Sequence, residues 1–151
     1  MNNQTLEIKV ALQIQKPVNT VFEAIVDPEK MSHYFISESS GRMIEGKQVR
    51  WMFPEFDEEV TIRVGKIEHD RYISYYWMID CEELLVEMTL TPIDGDATVV
   101  TITEKSMDND EEGIKWLMRN TEGWANFLAC LKAYLEYGVN LRKGAFDFLK
   151  K

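Results

Sequence analysis

The sequence predicts an α+β domain in which a curved antiparallel sheet of six or seven strands wraps around a long C-terminal helix. Three observations support this prediction. Between residues 5 and 104, apolar and polar residues alternate in several short segments, the period of a strand with one buried face. Short turns join most of these segments, which favours antiparallel neighbours. The last third of the chain repeats its apolar residues at spacings of three and four, which is typical of a helix.

The first alternating segment covers residues 6–14, and Pro17 ends it. A helix with one apolar side follows, and Asn19 or Thr20 is its predicted cap. Residues 28–35, PEKMSHYF, predict a second short helix with proline in its first turn. Two short helices are therefore expected after the first strand.

Five further alternating segments form the predicted meander. They cover residues 47–53, 58–67, 71–79, 84–90 and 98–104. Gly65 predicts a bulge in the second of them, and the turn sequence PIDGD at residues 92–96 separates the last two. The β-branched residues of the final segment favour a strand.

The stretch GWANFLACLKAYLEYG, residues 123–138, belongs to the long predicted helix, for which Asp108 or Asn109 is the expected cap. Its apolar arc is too wide for one narrow contact, so we expect the sheet to cover one line of residues and the short helices to cover another. The line predicted to face the sheet is Leu117, Thr121, Trp124, Leu128, Leu131 and Leu135. The second line is Trp116, Phe127, Cys130, Tyr134 and Tyr137.

Composition excludes several classes of protein. The chain has 151 residues, so one domain over residues 1–151 is expected. Its net charge is −9 and its pI is near 4.8, so neither nucleic acid nor an anionic membrane is an expected partner. No apolar run approaches the roughly 18 residues of a membrane span, and the N-terminus does not resemble a signal peptide. We therefore expect a cytoplasmic protein. The two cysteines show no metal-binding spacing, and no cofactor or metal is predicted.

Three segments carry a resemblance to a known family: KPVNTVFEAIVDPEKMSHYF near the start, YISYYW at residues 72–77, and GWANFLACLKAYLEYG near the end. Over about residues 5–141 the chain resembles the START-like (SRPBCC) superfamily, and within it the Aha-type branch named after the activator of the heat-shock chaperone ATPase. The resemblance implies a helix-grip fold. Two departures are Tyr34 and Phe35, where the branch often carries tryptophan, and Glu68-His69-Asp70, where it often carries proline.

The resemblance also implies a cavity between the curved sheet and the long helix. Seven residues are the predicted ligand-binding wall: Trp51, Phe53, Tyr75, Trp77, Met88, Trp124 and Leu128. Their polar handles, at Tyr75 and Trp77, would orient a largely apolar ligand. The alternative is that these side chains simply pack the core.

Candidates for acid–base chemistry are few, and no catalytic residue is predicted. His33 and His69 form no recognisable dyad and are expected to be exposed. Glu104 falls in register with the inward-facing Val100 and Ile102, but we expect it at a frayed strand end, because a buried carboxylate needs a partner. No nucleophile elbow, P-loop, dinucleotide fingerprint or HExxH motif is present.

The preferred hypothesis is a binding module for a small apolar or aromatic ligand. The alternatives are an interaction protein that docks on a chaperone, or a cyclase, aromatase or hydrolase on the same fold. Acidic clusters at residues 55–59 and 108–112 are interpreted as solvated surface, with a docking surface for a basic partner as the alternative. The sequence leaves a homodimer open, with Tyr72, Tyr76 and Met78 on the outer sheet face as a candidate interface.

Overall fold

The computed structural model describes residues 4–79 and 81–150, and in these residues it has seven strands and three α-helices. The strands are β1 (Thr5–Ile14), β2 (Glu38–Ser39), β3 (Gln48–Met52), β4 (Val60–Glu68), β5 (Tyr72–Ile79), β6 (Glu82–Ile93) and β7 (Ala97–Asp108). The α-helices are α1 (Val18–Val26), α2 (Pro28–Met31) and α3 (Glu111–Tyr137), and a 3-10 helix follows at Asp147–Leu149. In these residues no helix is both long and apolar enough to cross a membrane.

All seven strands form one antiparallel sheet in the order β1-β7-β6-β5-β4-β3-β2. Strands β2 to β7 are a meander, and β1 joins it by pairing with β7. The helix α3 packs against the inner face of this sheet, with its densest contacts at β1. The predicted α+β helix-grip architecture is confirmed, and the short strand β2 brings the sheet to seven strands.

The predicted bulge lies where expected, in β4. The register between β4 and β5 shifts between Val64 and Ile67. A Cβ atom at Gly65 would lie only 2.7 Å from the Oγ atom of Ser74, so the two strands approach closely at this point. An extra residue on one strand bends it, which contributes to the curvature that α3 needs.

The two short helices differ in detail from the prediction. Neither Asn19 nor Thr20 caps α1, because the helix begins at Val18 and both lie inside its first turn. The carbonyl of Pro17 instead accepts the first backbone bonds, from Thr20 (3.0 Å) and Val21 (3.2 Å). The second helix, α2, ends earlier than predicted, and residues 32–35 continue as turns.

The predicted cap of α3 is also wrong. The helix is capped by Asp110, whose Oδ1 accepts from the Gly113 N–H at 2.8 Å. The physical reason is the length of β7, which continues to Asp108 and leaves only Asn109 before the cap. A Cβ atom at Gly113 would lie 1.9 Å from the carbonyl oxygen of Asp108, so this tight junction requires glycine.

The buried face of α3 is rotated toward the second predicted line of residues. Trp116 is completely buried, whereas Leu117 and Thr121 of the first line are half-buried. Tyr137 was placed on the apolar arc, but it is 72% exposed because it lies in the last turn, next to exposed Gly138 and residue 139. The buried residues of α3 therefore run from Gly113 to Leu131, and none of them lies in its last turn.

Candidate functional site

A cavity of about 290 Å³ lies between α3, the sheet and the C-terminal residues, and we call it the inner cavity. Its α3 side consists of Asn120, Gly123, Trp124, Asn126, Phe127 and Cys130. Its opposite wall consists of Tyr34, Phe35, Phe53, Val60, Trp77 and Ile79. The remaining residues are at its mouth: Glu55, Phe56, Arg142, Phe146 and Leu149.

The inner cavity reaches the surface. Phe56 and Leu149 at its mouth are 51% and 42% exposed. A space this size is near the lower limit of pockets that take small organic ligands. The arrangement is a chamber rich in aromatic side chains, with an accessible entrance.

Three of the seven predicted wall residues line the inner cavity: Phe53, Trp77 and Trp124. The other four are buried core residues that line neither this cavity nor the groove described below: Trp51, Tyr75, Met88 and Leu128. Edge-to-face ring contacts join the two sets, since Trp51 and Trp77 each pack against Tyr75 at about 5.3–5.4 Å between centroids.

Phe35 was not among the predicted wall residues, although it lies at the centre of the aromatic cluster. Its ring centroid is 5.2 Å from that of Phe53 and 4.8 Å from that of Phe127, both edge-to-face. The resemblance carried a signal for this residue, because its branch often has tryptophan in this short helix. Phe35 therefore ties the segment after α2 to both the sheet and α3.

Glu104 is completely buried behind the inner cavity, where it accepts three hydrogen bonds. Its Oε2 accepts from Trp77 Nε1 at 2.7 Å. Its Oε1 accepts from Trp124 Nε1 at 2.9 Å and from Asn120 Nδ2 at 3.0 Å. One carboxylate on β7 thus joins a strand residue and two α3 residues that line the cavity.

The expectation that Glu104 lies at a frayed strand end is wrong. The strand β7 extends four residues beyond it, and Glu104 pairs with Ile8 of β1 and Val86 of β6 in the middle of the sheet. The signal was its register with Val100 and Ile102. The partners that a buried carboxylate requires are the indole and amide N–H groups opposite.

The two predicted polar handles have different surroundings. Trp77 already donates its indole N–H to Glu104. The Tyr75 hydroxyl is buried and has no hydrogen-bond partner in residues 4–79 and 81–150. Burial raises the pKa of Tyr75 well above its ordinary value, and the nearby Glu104 carboxylate adds to the shift.

The mouth of the inner cavity holds an ion pair between Glu55 and Arg142, which are 87 residues apart in sequence. Arg142 Nη2 donates to Glu55 Oε1 at 2.6 Å, and Nη1 donates to Oε2 at 3.2 Å. The guanidinium also lies 4.8 Å from the ring centroid of Phe146 and 5.5 Å from that of Phe53. The interpretation of Glu55 as part of a solvated acidic loop is wrong, because its side chain is only 5% exposed.

A second space of about 600 Å³ adjoins the mouth, and we call it the outer groove. It lies between residues 32–36 and 54–55 on one side and the C-terminal segment, residues 139–150, on the other. The groove shares Tyr34, Phe35, Glu55, Arg142 and Phe146 with the inner cavity. The two spaces are therefore adjacent, and Arg142 contributes to the boundary between them.

The sequence analysis made no prediction about the C-terminal segment. It contains no regular apolar repeat, and its attachment depends on the distant residue Glu55. Gly138, in the left-handed conformation with φ 65°, ends α3 and turns the chain toward the mouth. The available signal was the Gly after a helical pattern, which predicts a helix end but not the direction that follows.

The surroundings of Cys130 differ from those of the two histidines. Burial raises the pKa of the Cys130 thiol, an effect that Arg142 partly opposes, so the thiol is the protonated form at neutral pH. His33 and His69 are exposed, and His33 stacks on Tyr134. Within the described residues, no group of three potential metal ligands lies together.

The outer sheet face carries charged contacts at the candidate dimer interface. Tyr72 donates to Glu87, which also pairs with Lys105, and the Arg63 guanidinium lies 4.2 Å from the Tyr76 ring centroid. Met78 is 58% exposed. This face is thus more polar than the tyrosines alone suggested.

The family follows from comparison with known proteins. The profile of the family described as "Activator of Hsp90 ATPase homolog 1-like protein" matches residues 15–136. The chain belongs to this family. The matched range covers both short helices, strands β2 to β7 and nearly all of α3. None of the curated proteins compared with the chain matches it.

Solved structures show the same architecture. The protein SSP2350 from Staphylococcus saprophyticus is 36% identical, with a TM-score of 0.79 over 91% of this chain and 96% of that one. DynU16, described as a putative protein in the dynemicin biosynthetic locus, is 26% identical with a TM-score of 0.77 over 89% of this chain and 48% of that one. The Aha1 dimer from Colwellia psychrerythraea, at 18% identity, a TM-score of 0.75 and coverage of 88% and 98%, shares the fold.

Proposed function

We propose that this protein binds a small, largely apolar ligand in the inner cavity. No catalytic reaction is part of this proposal. The observation that carries the proposal is the aromatic chamber of about 290 Å³ with an exposed mouth. A well-packed interior leaves few voids larger than a water molecule, so a space of this size in the core suggests an occupant.

The contacts around the chamber favour binding over catalysis. The buried carboxylate of Glu104 is engaged by three N–H donors, and Glu55 is engaged by Arg142. The Cys130 thiol has a raised pKa, which is the opposite of what a nucleophile requires. Glu104 joins the walls to each other, and the pair of Glu55 and Arg142 gives a ligand polar contact points at the mouth.

A thermal-shift and native mass spectrometry screen with lipids, flavonoids and other apolar metabolites tests the proposal. A ligand in the inner cavity is expected to slow alkylation of the buried Cys130, while the exposed Cys81 serves as the internal control. Gly123 lines the cavity, and no atom lies within 4 Å of a Cβ built there, so the Gly123→Phe variant adds a ring at the cavity wall and should abolish binding. Ala125→Phe, on the exposed side of α3, is the matched control. If no ligand class shifts the melting temperature or protects Cys130, the proposal fails.

A second candidate function is docking on a chaperone, which the family description favours. Asp57, Glu58 and Glu59 are exposed, although Glu59 pairs with Arg50 at 3.7 Å, whereas Glu55 is buried against Arg142. This candidate predicts a change in the ATPase rate of the chaperone when the protein is added. Reversing the charges of residues 57–59, with Glu55 left intact, should abolish the change, and an unaltered ATPase rate with the wild-type protein excludes it.

We also propose that the protein is cytoplasmic, consists of one domain and associates with itself. The Aha1 structure from Colwellia psychrerythraea is described as a dimer, which supports testing for a dimer here. Light scattering during size-exclusion chromatography gives the mass in solution. Dimers with a micromolar Kd form at a protein concentration of about 100 μM. A monomer mass at that concentration would exclude the proposed dimer.

A further inference from the structure

We propose that the ligand is an amphipathic anion, whose apolar part occupies the inner cavity and whose anionic group lies in the outer groove against Arg142. This inference rests on the proposed function and adds the chemical class of the ligand. It follows from the position of Arg142, the hydrogen bonds that its guanidinium leaves unused, and the charge around the groove.

The position of Arg142 is the first step. The residue lines both spaces, so a molecule that extends from one to the other passes its side chain. The guanidinium is held by the rings of Phe53 and Phe146, and its side chain is only 15% exposed. A positive charge fixed in this way costs little further ordering when a ligand binds.

The second step concerns the hydrogen-bond donors of Arg142. A guanidinium has five N–H donors in a planar fork. Glu55 takes one from each Nη atom in an end-on pair. The side edge, Nε with the second N–H of one Nη, makes no hydrogen bond to another residue within 4–79 and 81–150. That edge has the geometry to bind a second carboxylate through two parallel hydrogen bonds.

The third step is the charge of the groove. The chain carries a net −9, yet the described C-terminal segment has Arg142, Lys143 and Lys150 against the single acid Asp147. All four line the outer groove together with Glu55. Arg142 pairs with Glu55 and Lys150 pairs with Asp147 at 3.2 Å, so Lys143 supplies the net positive charge of the groove within an acidic protein. Such a field favours an anion at this place and disfavours a cation.

The lining of the inner cavity determines the chemistry of the other part of the ligand, the part that lies inside. Its walls are predominantly aromatic and aliphatic, and the carboxylate behind them already has three donors. An anionic group placed there would be desolvated without a cation, which is costly. The charge of the ligand therefore belongs at the mouth, and its apolar body belongs inside.

Decanoate and 1-decanol, which share a chain length and differ in charge, provide the test by isothermal titration calorimetry at low salt. We expect decanoate to bind about tenfold more tightly, since hydrogen bonds between charged groups are the stronger ones, and added salt to reduce this preference. Arg142→Gln should bring the two affinities together. Glu55→Gln breaks the same ion pair but keeps the cation, so it should retain or increase the preference for decanoate.

Lys66→Gln, on an exposed side chain near the far end of β4, is the charge-matched control and should leave the preference unchanged. Equal binding of the two probes by the wild type, or a preference that survives Arg142→Gln, overturns the anionic class and leaves the proposed apolar binder intact. Binding of neither probe, combined with an empty metabolite screen, contradicts both.

Discussion

Replacing Glu104 with glutamine tests how the buried carboxylate holds α3 against the sheet. The glutamine oxygen can keep the bonds from Trp124 (2.9 Å) and Asn120 (3.0 Å). Its NH2 group would then face the indole N–H of Trp77, which now donates at 2.7 Å, and two donors cannot bond to each other.

The expected loss follows from this geometry. A hydrogen bond to a charged group contributes about 1.5–3 kcal/mol, and a buried unsatisfied donor costs a further amount of similar size. Part of this lost stability is regained, because the neutral glutamine side chain is less costly to bury than the charged carboxylate. We expect Glu104→Gln to lower the free energy of unfolding by about 2 kcal/mol. For a chain of this length, that corresponds to a melting temperature lower by about 4–8 °C.

Urea unfolding followed by tryptophan fluorescence measures the change, with Glu58→Gln in an exposed loop as the control for the same chemical substitution. Trp77→Phe removes the opposing indole N–H, so it should be less harmful in the glutamine background than in the wild type. The coupling energy of this double-mutant cycle should exceed about 0.5 kcal/mol. A Glu104→Gln midpoint equal to that of the wild type, or strictly additive losses, would refute the role assigned to the carboxylate.

Two other properties can be checked directly. Gly113→Ala should destabilise the protein by about 3 kcal/mol or prevent folding, because its Cβ would lie 1.9 Å from the Asp108 carbonyl oxygen. Gly123→Ala, in open space on the same helix, should stabilise it by about 0.5–1 kcal/mol, and similar unfolding curves for the two variants would contradict this. Burial and the bond to Glu87 raise the pKa of Tyr72 to about 12. The folded state thus keeps a proton that the unfolded chain loses near pH 10, so this contribution to stability is complete below pH ~10 and is lost as the pH rises through ~12. The alkaline decline should be shallower in Tyr72→Phe, and an absorbance titration at 295 nm with no ionisation near pH 12 would exclude the shift.

The sequence predicted the sheet well because its evidence is local. The alternation of Val49, Trp51 and Phe53 puts all three on the inner face, whatever the rest of the chain does. The same reasoning applied to Val100 and Ile102 points Glu104 inward. Following the period of the strand would have given the right answer there, whereas the general cost of a buried charge gave the wrong one.

The site was less predictable because it depends on distances between segments that are far apart in sequence. Whether a space remains next to Phe53 is decided jointly by Trp77, Trp124 and the C-terminal segment. The pair of Glu55 and Arg142 links positions 87 residues apart and has no local pattern. A sequence read along the chain identifies which side chains point inward, but not whether they meet.

The position of β1 at the end of the sheet has a consequence for biosynthesis. Each neighbouring pair from β2 to β7 is consecutive in the chain, so those hairpins can close as soon as they are made. In contrast, β1 pairs with β7, which begins at Ala97 and is translated about 80 residues after Ile14. At about 5–20 residues per second, the nascent strand waits roughly 4–16 s for its neighbour. During that interval the unpaired strand exposes its apolar side chains and can associate with other polypeptides. Aggregation of this protein is therefore expected to begin from ribosome-bound intermediates.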